Sequence, residues 1–268
     1  FPYTPPEEKT GANPSADNAK VVGYYVASRR KDSALRLLFQ LGQTAVVEQP
    51  DKTITVDMLK DFSGAPRKWR NVGPLTYREV GGQAHLKFVA DQDGNVDYFT
   101  SDDFIPVELL QKTHGLEQLS NLKFFGIGTI LVCALTVAIW FGGWIVRRRF
   151  GRPLEMTDRQ RQLRLGSRLG AVAYLVVITG WIVLLTAIQV DETLLLGGAL
   201  SPWLGALYVL GAIAVLGGLA MVANGVLRAI GGPGRWLVRA GDIVLALAGL
   251  YGLWAIWAYG FANFHFNI

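Results

Sequence analysis

Residues 147–168 read RRRFGRPLEMTDRQRQLRLGSR and carry eight arginines: Arg147, Arg148, Arg149, Arg152, Arg159, Arg161, Arg164 and Arg168. They separate two long apolar runs, 124–146 and 169–190, and two more runs follow at 203–227 and 243–264. No Lys, Arg, Asp or Glu lies within any of the four. Each reaches the ~20 residues a helix needs to cross about 30 Å of hydrocarbon. Backbone polar groups in lipid find partners only within the chain, so each run is predicted to be a transmembrane helix.

The charges between the runs orient them. The connection 227–241, on the same side as residues 147–168, holds Arg228, Arg235 and Arg239, while 191–202, on the other side, holds Asp191, Glu192 and no base. Lys and Arg accumulate on the cytoplasmic side, so the arginine loop is expected inside. The first 120 or so residues and the C-terminus are then expected outside, which in a bacterial inner membrane is the periplasm. Thr157 and Gln160 have the spacing of a capping box, and the helix they start is expected to lie on the inner leaflet as far as Arg168. Anionic lipid head groups are an expected partner of this loop, alongside the bilayer itself.

Charge is split between the halves. Residues 1–122 hold 14 Lys/Arg and 16 Asp/Glu, and the remainder holds 12 basic and 5 acidic residues. The net charge of +5 therefore reflects membrane topology. A nucleic-acid face would need its excess of Lys and Arg on the soluble part, where acids balance them, so no nucleic acid is expected as partner. The single cysteine, Cys133, lies in the first apolar run and cannot form a disulfide within the chain. It reads as a small buried residue.

Residues 1–19 (FPYTPPEEKTGANPSADNA) hold four prolines and one glycine and read as a linker or extended arm. Residues 20–103 read as a β-domain. Short runs at 21–28 (VVGYYVAS), 44–48 (TAVVE), 53–56 (TITV), 75–80 (LTYREV), 85–90 (HLKFVA) and 96–100 (VDYFT) are separated by turn residues at 49–51, 81–82 and 91–95. That spacing predicts an antiparallel meander curled into a small barrel or sandwich. Residues 33–41 (SALRLLFQL) fit a helix or a long strand equally. Residues 104–123 read as a connector, started by Pro106, broken at Gly115 and ending in a short surface helix. The expected class is α+β: a small β-barrel or sandwich outside the membrane, followed by a four-helix transmembrane bundle. Ala214 with Gly218, and Ala248 with Gly252, are spaced by four and predict close helix packing. The spans carry no ionisable residue at mid-depth, which favours an anchor or scaffold over a transporter.

Chemistry-bearing motifs are sparse. His85, His114 and His265 lack ligand spacing, so no metal is expected. Residues 91–95 (DQDGN) begin like a calcium loop but lack its closing Glu, and read as a hairpin turn. Ser120 and Lys123 match S-x-x-K, but the companion motifs of serine acyl-enzymes do not accompany them. No catalytic residue and no cofactor is assigned.

In order along the chain stand Val22-Gly23-Tyr24-Tyr25, Ser28-Arg29-Arg30, PLTYREVGG at 74–82, Leu86-Lys87-Phe88 and Asp91-Gln92-Asp93-Gly94. This order resembles the region that follows the catalytic domain in bacterial β-lactamase-like serine hydrolases, the group of D-aminopeptidases, esterases and penicillin-binding-type peptidases. The resemblance covers residues 1–125 by motif and the rest by layout. It implies that this chain is the anchor and accessory domain of such an enzyme, with the catalytic serine and lysine in a preceding domain. It also implies that loops around Arg29–Arg30 and 91–95 contact that domain. Phe1 is not a Met, and no signal peptide precedes the exported part, so either a removed signal or a longer chain is expected. The other expectation is a non-enzymatic subunit of a larger inner-membrane complex.

Overall fold

The computed structural model describes residues 11, 13–29, 36–104, 108–151, 157–195, 200–231 and 236–263. It forms two compact units, divided near residue 119.

The first unit is a closed antiparallel barrel of eight strands: β1 (Gly23–Ala27), β2 (Thr44–Glu48), β3 (Ile54–Lys60), β4 (Pro66–Gly73), β5 (Thr76–Glu79), β6 (His85–Ala90), β7 (Val96–Ser101) and β8 (Leu110–Lys112). Neighbours in sequence are neighbours in the wall, and β8 closes on β1 through Tyr25 opposite Lys112. Closure leaves no strand edge to template aggregation. Eight strands enclose a space that side chains can fill. Tyr25, Ile54, Trp69, Tyr77, Leu86 and Phe99 fill it and are fully buried. The rings meet edge to face, Tyr25 on Phe99 at 4.9 Å and Tyr77 on Phe88 at 5.5 Å, the geometry aromatic quadrupoles favour.

One end of the barrel is plugged by α1 (Pro14–Val21), so the last six residues expected in an unpacked arm are helical instead. Pro14 at the first helical turn gives up no bond, and Asn18 supplies the reason to pack. Its Nδ2 donates to Glu48 Oε1 (2.9 Å) and the Lys52 carbonyl (3.0 Å), and its Oδ1 accepts from Tyr77 Oη (2.9 Å). Asp17 Oδ2 accepts from Asn71 Nδ2 and from the Leu75 amide. The Asn18 amide holds the Glu48 carboxyl below its usual range, and burial pushes the Tyr25 and Tyr77 phenols up.

Residues 104–123 are not a plain connector. They contain β8, a short 3-10 turn at Gly115–Glu117 and the start of the first long helix. Gln43, next to α2 (Arg36–Leu41), fastens this segment. Its Nε2 donates to Gln40 Oε1 and the Glu117 carbonyl (both 2.7 Å), and its Oε1 accepts from Thr113 Oγ1 (2.8 Å) and the Leu119 amide (3.0 Å). Pro106 lies outside the described residues.

The second unit has four helices long and apolar enough to cross a membrane: α3 (Leu119–Phe150), α4 (Asp158–Val190), α5 (Ser201–Gly231) and α6 (Trp236–Ala258). The chain is a membrane protein. The expected surface helix does not form separately. Thr157 caps α4, its hydroxyl accepting from the Gln160 amide, and the helix then runs unbroken through Arg168 into the apolar stretch. The Gly/Ser pair in this stretch, Gly166-Ser167, does not break the helix. The short surface helix expected before residue 124 likewise merges into α3. The last span ends at Ala258, short of the expected 264, in a turn through Gly260 at φ +65°.

Candidate functional site

The antiparallel meander sorts the barrel's turns into two ends. The turns at 49–53, 73–75 and 91–95 lie with α1 at the plugged end. The turns at 61–65 and 80–84, and the segment leaving β1 at Ser28-Arg29, lie at the other. The two loops expected to contact a catalytic domain therefore fall at opposite ends and do not form one patch. Asp91 shapes its turn: Oδ1 accepts from the Asp93 and Asn95 amides, and Gly94 takes φ +81°. This is a self-capped hairpin turn in which that carboxylate oxygen is engaged by backbone. Arg29 is exposed, and Arg30 lies outside the described residues.

Ser120 and Lys123 sit one turn apart at the start of α3, both exposed to solvent in the helix unit. His85 Nδ1 lies 3.0 Å from Asp102 Oδ2 on the barrel surface, His114 lies beyond β8, and His265 is outside the described residues. Among the described residues no group of three or more His, Cys, Asp or Glu side chains could hold a metal.

The sequence pattern did not point to Phe62, among the described residues the one fully exposed large apolar side chain of the barrel, at the tip of the β3–β4 hairpin. Asp61 Oδ1 accepts from the amides of Ser63 and Ala65, and Gly64 takes φ +85°, so the tip is a built turn. The D-F-S-G tetrad carried that signal: a turn composition with an aromatic inside it.

In the helix unit, α4, α5 and α6 pack through glycines. A Cβ on Gly170 would stand 2.5 Å from the Gly217 carbonyl oxygen, and one on Gly252 would stand 1.9 Å from the Tyr174 ring. Tyr174 bridges α4 to α6 through a 3.2 Å bond from its hydroxyl to the Gly249 carbonyl. Ala214, Gly218, Ala248 and Gly252 all face this packing, as their spacing predicts, whereas the Gly170–Gly217 contact was not foreseen. Cys133 is fully buried. α3 stands apart: 11% of its apolar window is buried, against 39%, 39% and 33% for α4, α5 and α6.

Charge gathers at one end of these helices. Arg228, one turn from the end of α5, forms a 3.5 Å ion pair with Asp242 in the second turn of α6. Both are largely buried, at 9% and 14% side-chain exposure. Beside them α5 and α6 are in close contact, since a Cβ on Gly225 would stand 2.8 Å from the Asp242 carbonyl oxygen. Arg164 and Arg168 on α4 lie within electrostatic reach of Asp242 and of Arg147 on α3. Arg168 also stacks over the Trp140 ring at 5.9 Å.

Compared with known proteins, the chain matches no family model, no curated protein and no solved structure.

Proposed function

We propose that this chain is the membrane anchor and accessory β-domain of a periplasmic serine hydrolase of the β-lactamase-like group, whose catalytic domain is not among these residues. The observation that carries the reading is a barrel filled by its own side chains, joined in one chain to four apolar helices. A filled barrel presents surfaces and turns, and the chemistry belongs elsewhere. The order of motifs that resembles this group also supports it: Gly23–Tyr25 open β1, Thr76–Glu79 form β5, and 91–94 make the β6–β7 turn. In this reading the arginine-rich end lies on the cytoplasmic side and meets anionic head groups, and the barrel stands in the periplasm at the inner membrane. Peptide or ester substrates passing there would be cleaved by acyl transfer through a serine ester on the catalytic domain. Phe62, and not both of the loops named from sequence, is the barrel's candidate contact for that domain.

A second reading is a structural subunit of a larger inner-membrane complex. The thin packing of α3 favours it, because a membrane helix with so little buried surface leaves room for a neighbouring helix.

Purification from native membrane in mild detergent, followed by a serine-directed acylating probe and peptide mapping, separates the two. The hydrolase reading expects the chain to come with a labelled S-x-x-K domain, on the same polypeptide or a partner. A stoichiometric complex without any labelled polypeptide would contradict it and leave the structural subunit.

A further inference from the structure

We propose that the charged end of the helix unit is a binding site for the phosphate of an anionic glycerophospholipid, seated between α4 and α5 beside the Arg228–Asp242 pair. The cations come from three helices: Arg147 on α3, Arg164 and Arg168 on α4, and Arg228 on α5. Each of Arg164 and Arg168 lies in the field of one carboxylate, Asp242, and of two further guanidiniums. Among the described residues Arg164, Arg168 and Arg228 share the field of Asp242, and Arg147 repels Arg164 and Arg168, in partly buried positions where water screens them poorly. An additional anion relieves that repulsion, and guanidinium forks match phosphate oxygens two at a time.

A second observation points to the same place. Asn224 is 4% exposed, and its Nδ2 is buried without a hydrogen-bond partner. It lies seven residues after Gly217, which touches Gly170, and four before Arg228. That spacing puts Asn224 on the α5 stripe facing α4, one turn deeper than Arg228. A buried amide N–H without an acceptor costs free energy until a ligand oxygen meets it.

Depth selects the lipid over other anions. Residues 169–190 span about 33 Å at 1.5 Å per residue, which places Arg168 at the hydrocarbon boundary. Phosphates of the bilayer lie at that level, and basic clefts between helices at this depth hold anionic head groups. The inference rests on the reading that the arginine-rich end meets anionic head groups, and not on the hydrolase reading, because it concerns the helix unit alone.

The test is native mass spectrometry of the full chain in mild detergent, titrated with phosphatidylglycerol and, separately, with phosphatidylcholine. We expect phosphatidylglycerol to be retained roughly tenfold or more over phosphatidylcholine, since one charge-assisted pair is worth about that factor. The double substitution R164Q/R168Q should abolish the preference, Arg168→Lys should weaken it, and Asp242→Asn should keep or raise it. Far-ultraviolet circular dichroism identifies folded variants, and Arg168→Lys keeps the charge should the double variant fail to fold. Equal retention of the two lipids in the parent chain would overturn the proposal. So would a preference unchanged in a folded R164Q/R168Q variant, or displacement of the lipid by millimolar inorganic phosphate, which would mark a site for the free ion.

Discussion

Gly170→Val should separate α4 from α5 and destabilise the helix unit by at least about 3 kcal/mol, the upper range for overpacking a well-filled interior. The glycine is not there for backbone freedom. At Gly170 the first carbon of any side chain would stand 2.5 Å from the Gly217 carbonyl oxygen and 2.8 Å from its Cα. Those atoms are backbone, so no rotamer change makes room, and the helices themselves must part. Parting them removes neighbours from Gly218 and Tyr174 one turn further on, and with them the 3.2 Å bond that ties α4 to α6. In lipid, where tails are as apolar as the helices, such close contact is a principal source of association. Thermal unfolding in detergent, followed by circular dichroism, should show the midpoint fall by several degrees, and Gly217→Val should do the same. An unchanged midpoint for both would mean that the helices do not touch at this crossing.

Asn18→Leu should destabilise the barrel by about 3 kcal/mol, because a buried polar group stripped of its partner costs ~1–3 kcal/mol and the substitution strips two. Leucine is close in volume, so the loss is one of partners. The Tyr77 hydroxyl loses its acceptor and the Lys52 carbonyl its donor. The Glu48 carboxyl, held below its ordinary value chiefly by the Asn18 amide, should return toward it. A depressed carboxyl contributes stability above the unfolded value near pH 4, and that contribution is lost as pH falls through the folded value. The variant should therefore show a shallower acid loss below about pH 4 as well as a lower stability at neutral pH. Urea denaturation across that range reads both effects. A variant as stable as the parent would show that α1 does not plug the barrel.

The membrane half was legible because its signal is long. Four runs without a charge have few alternative readings, and their Ala and Gly spacings of four gave two of the packing contacts. The Gly170–Gly217 contact escaped because each glycine pairs across helices, a relation no single-helix spacing displays. In the barrel, six strands announced themselves and two did not. β4 reads PRKWRNVG, and five of its eight residues are Arg, Lys, Asn or Pro. Its inward positions are Trp69 and Asn71, so the buried face includes an amide where the pattern calls for an apolar residue. β8 is three residues long, with Leu110 alone pointing inward, too short for any period to appear. The α1 plug was hidden for the same kind of reason. A polar helix with Asn at its buried centre resembles a linker until the acceptors it meets are known. The charged end was legible as an excess of arginine but not as a site. Only folding brings Arg228 to Asp242, and Arg164 and Arg168 within reach of both Asp242 and Arg147.

The central claim is that all four helices cross the bilayer, with the barrel outside and the arginine-rich end inside. Single cysteines introduced by Asp93→Cys, Arg161→Cys and Thr193→Cys, in a Cys133→Ala background, test it with a membrane-impermeant maleimide on spheroplasts whose outer envelope has been stripped. The account predicts that the 93 and 193 positions are labelled at once and the 161 position only after the membrane is opened. Labelling of all three positions from one side, or of the 161 position alone before opening, would contradict it.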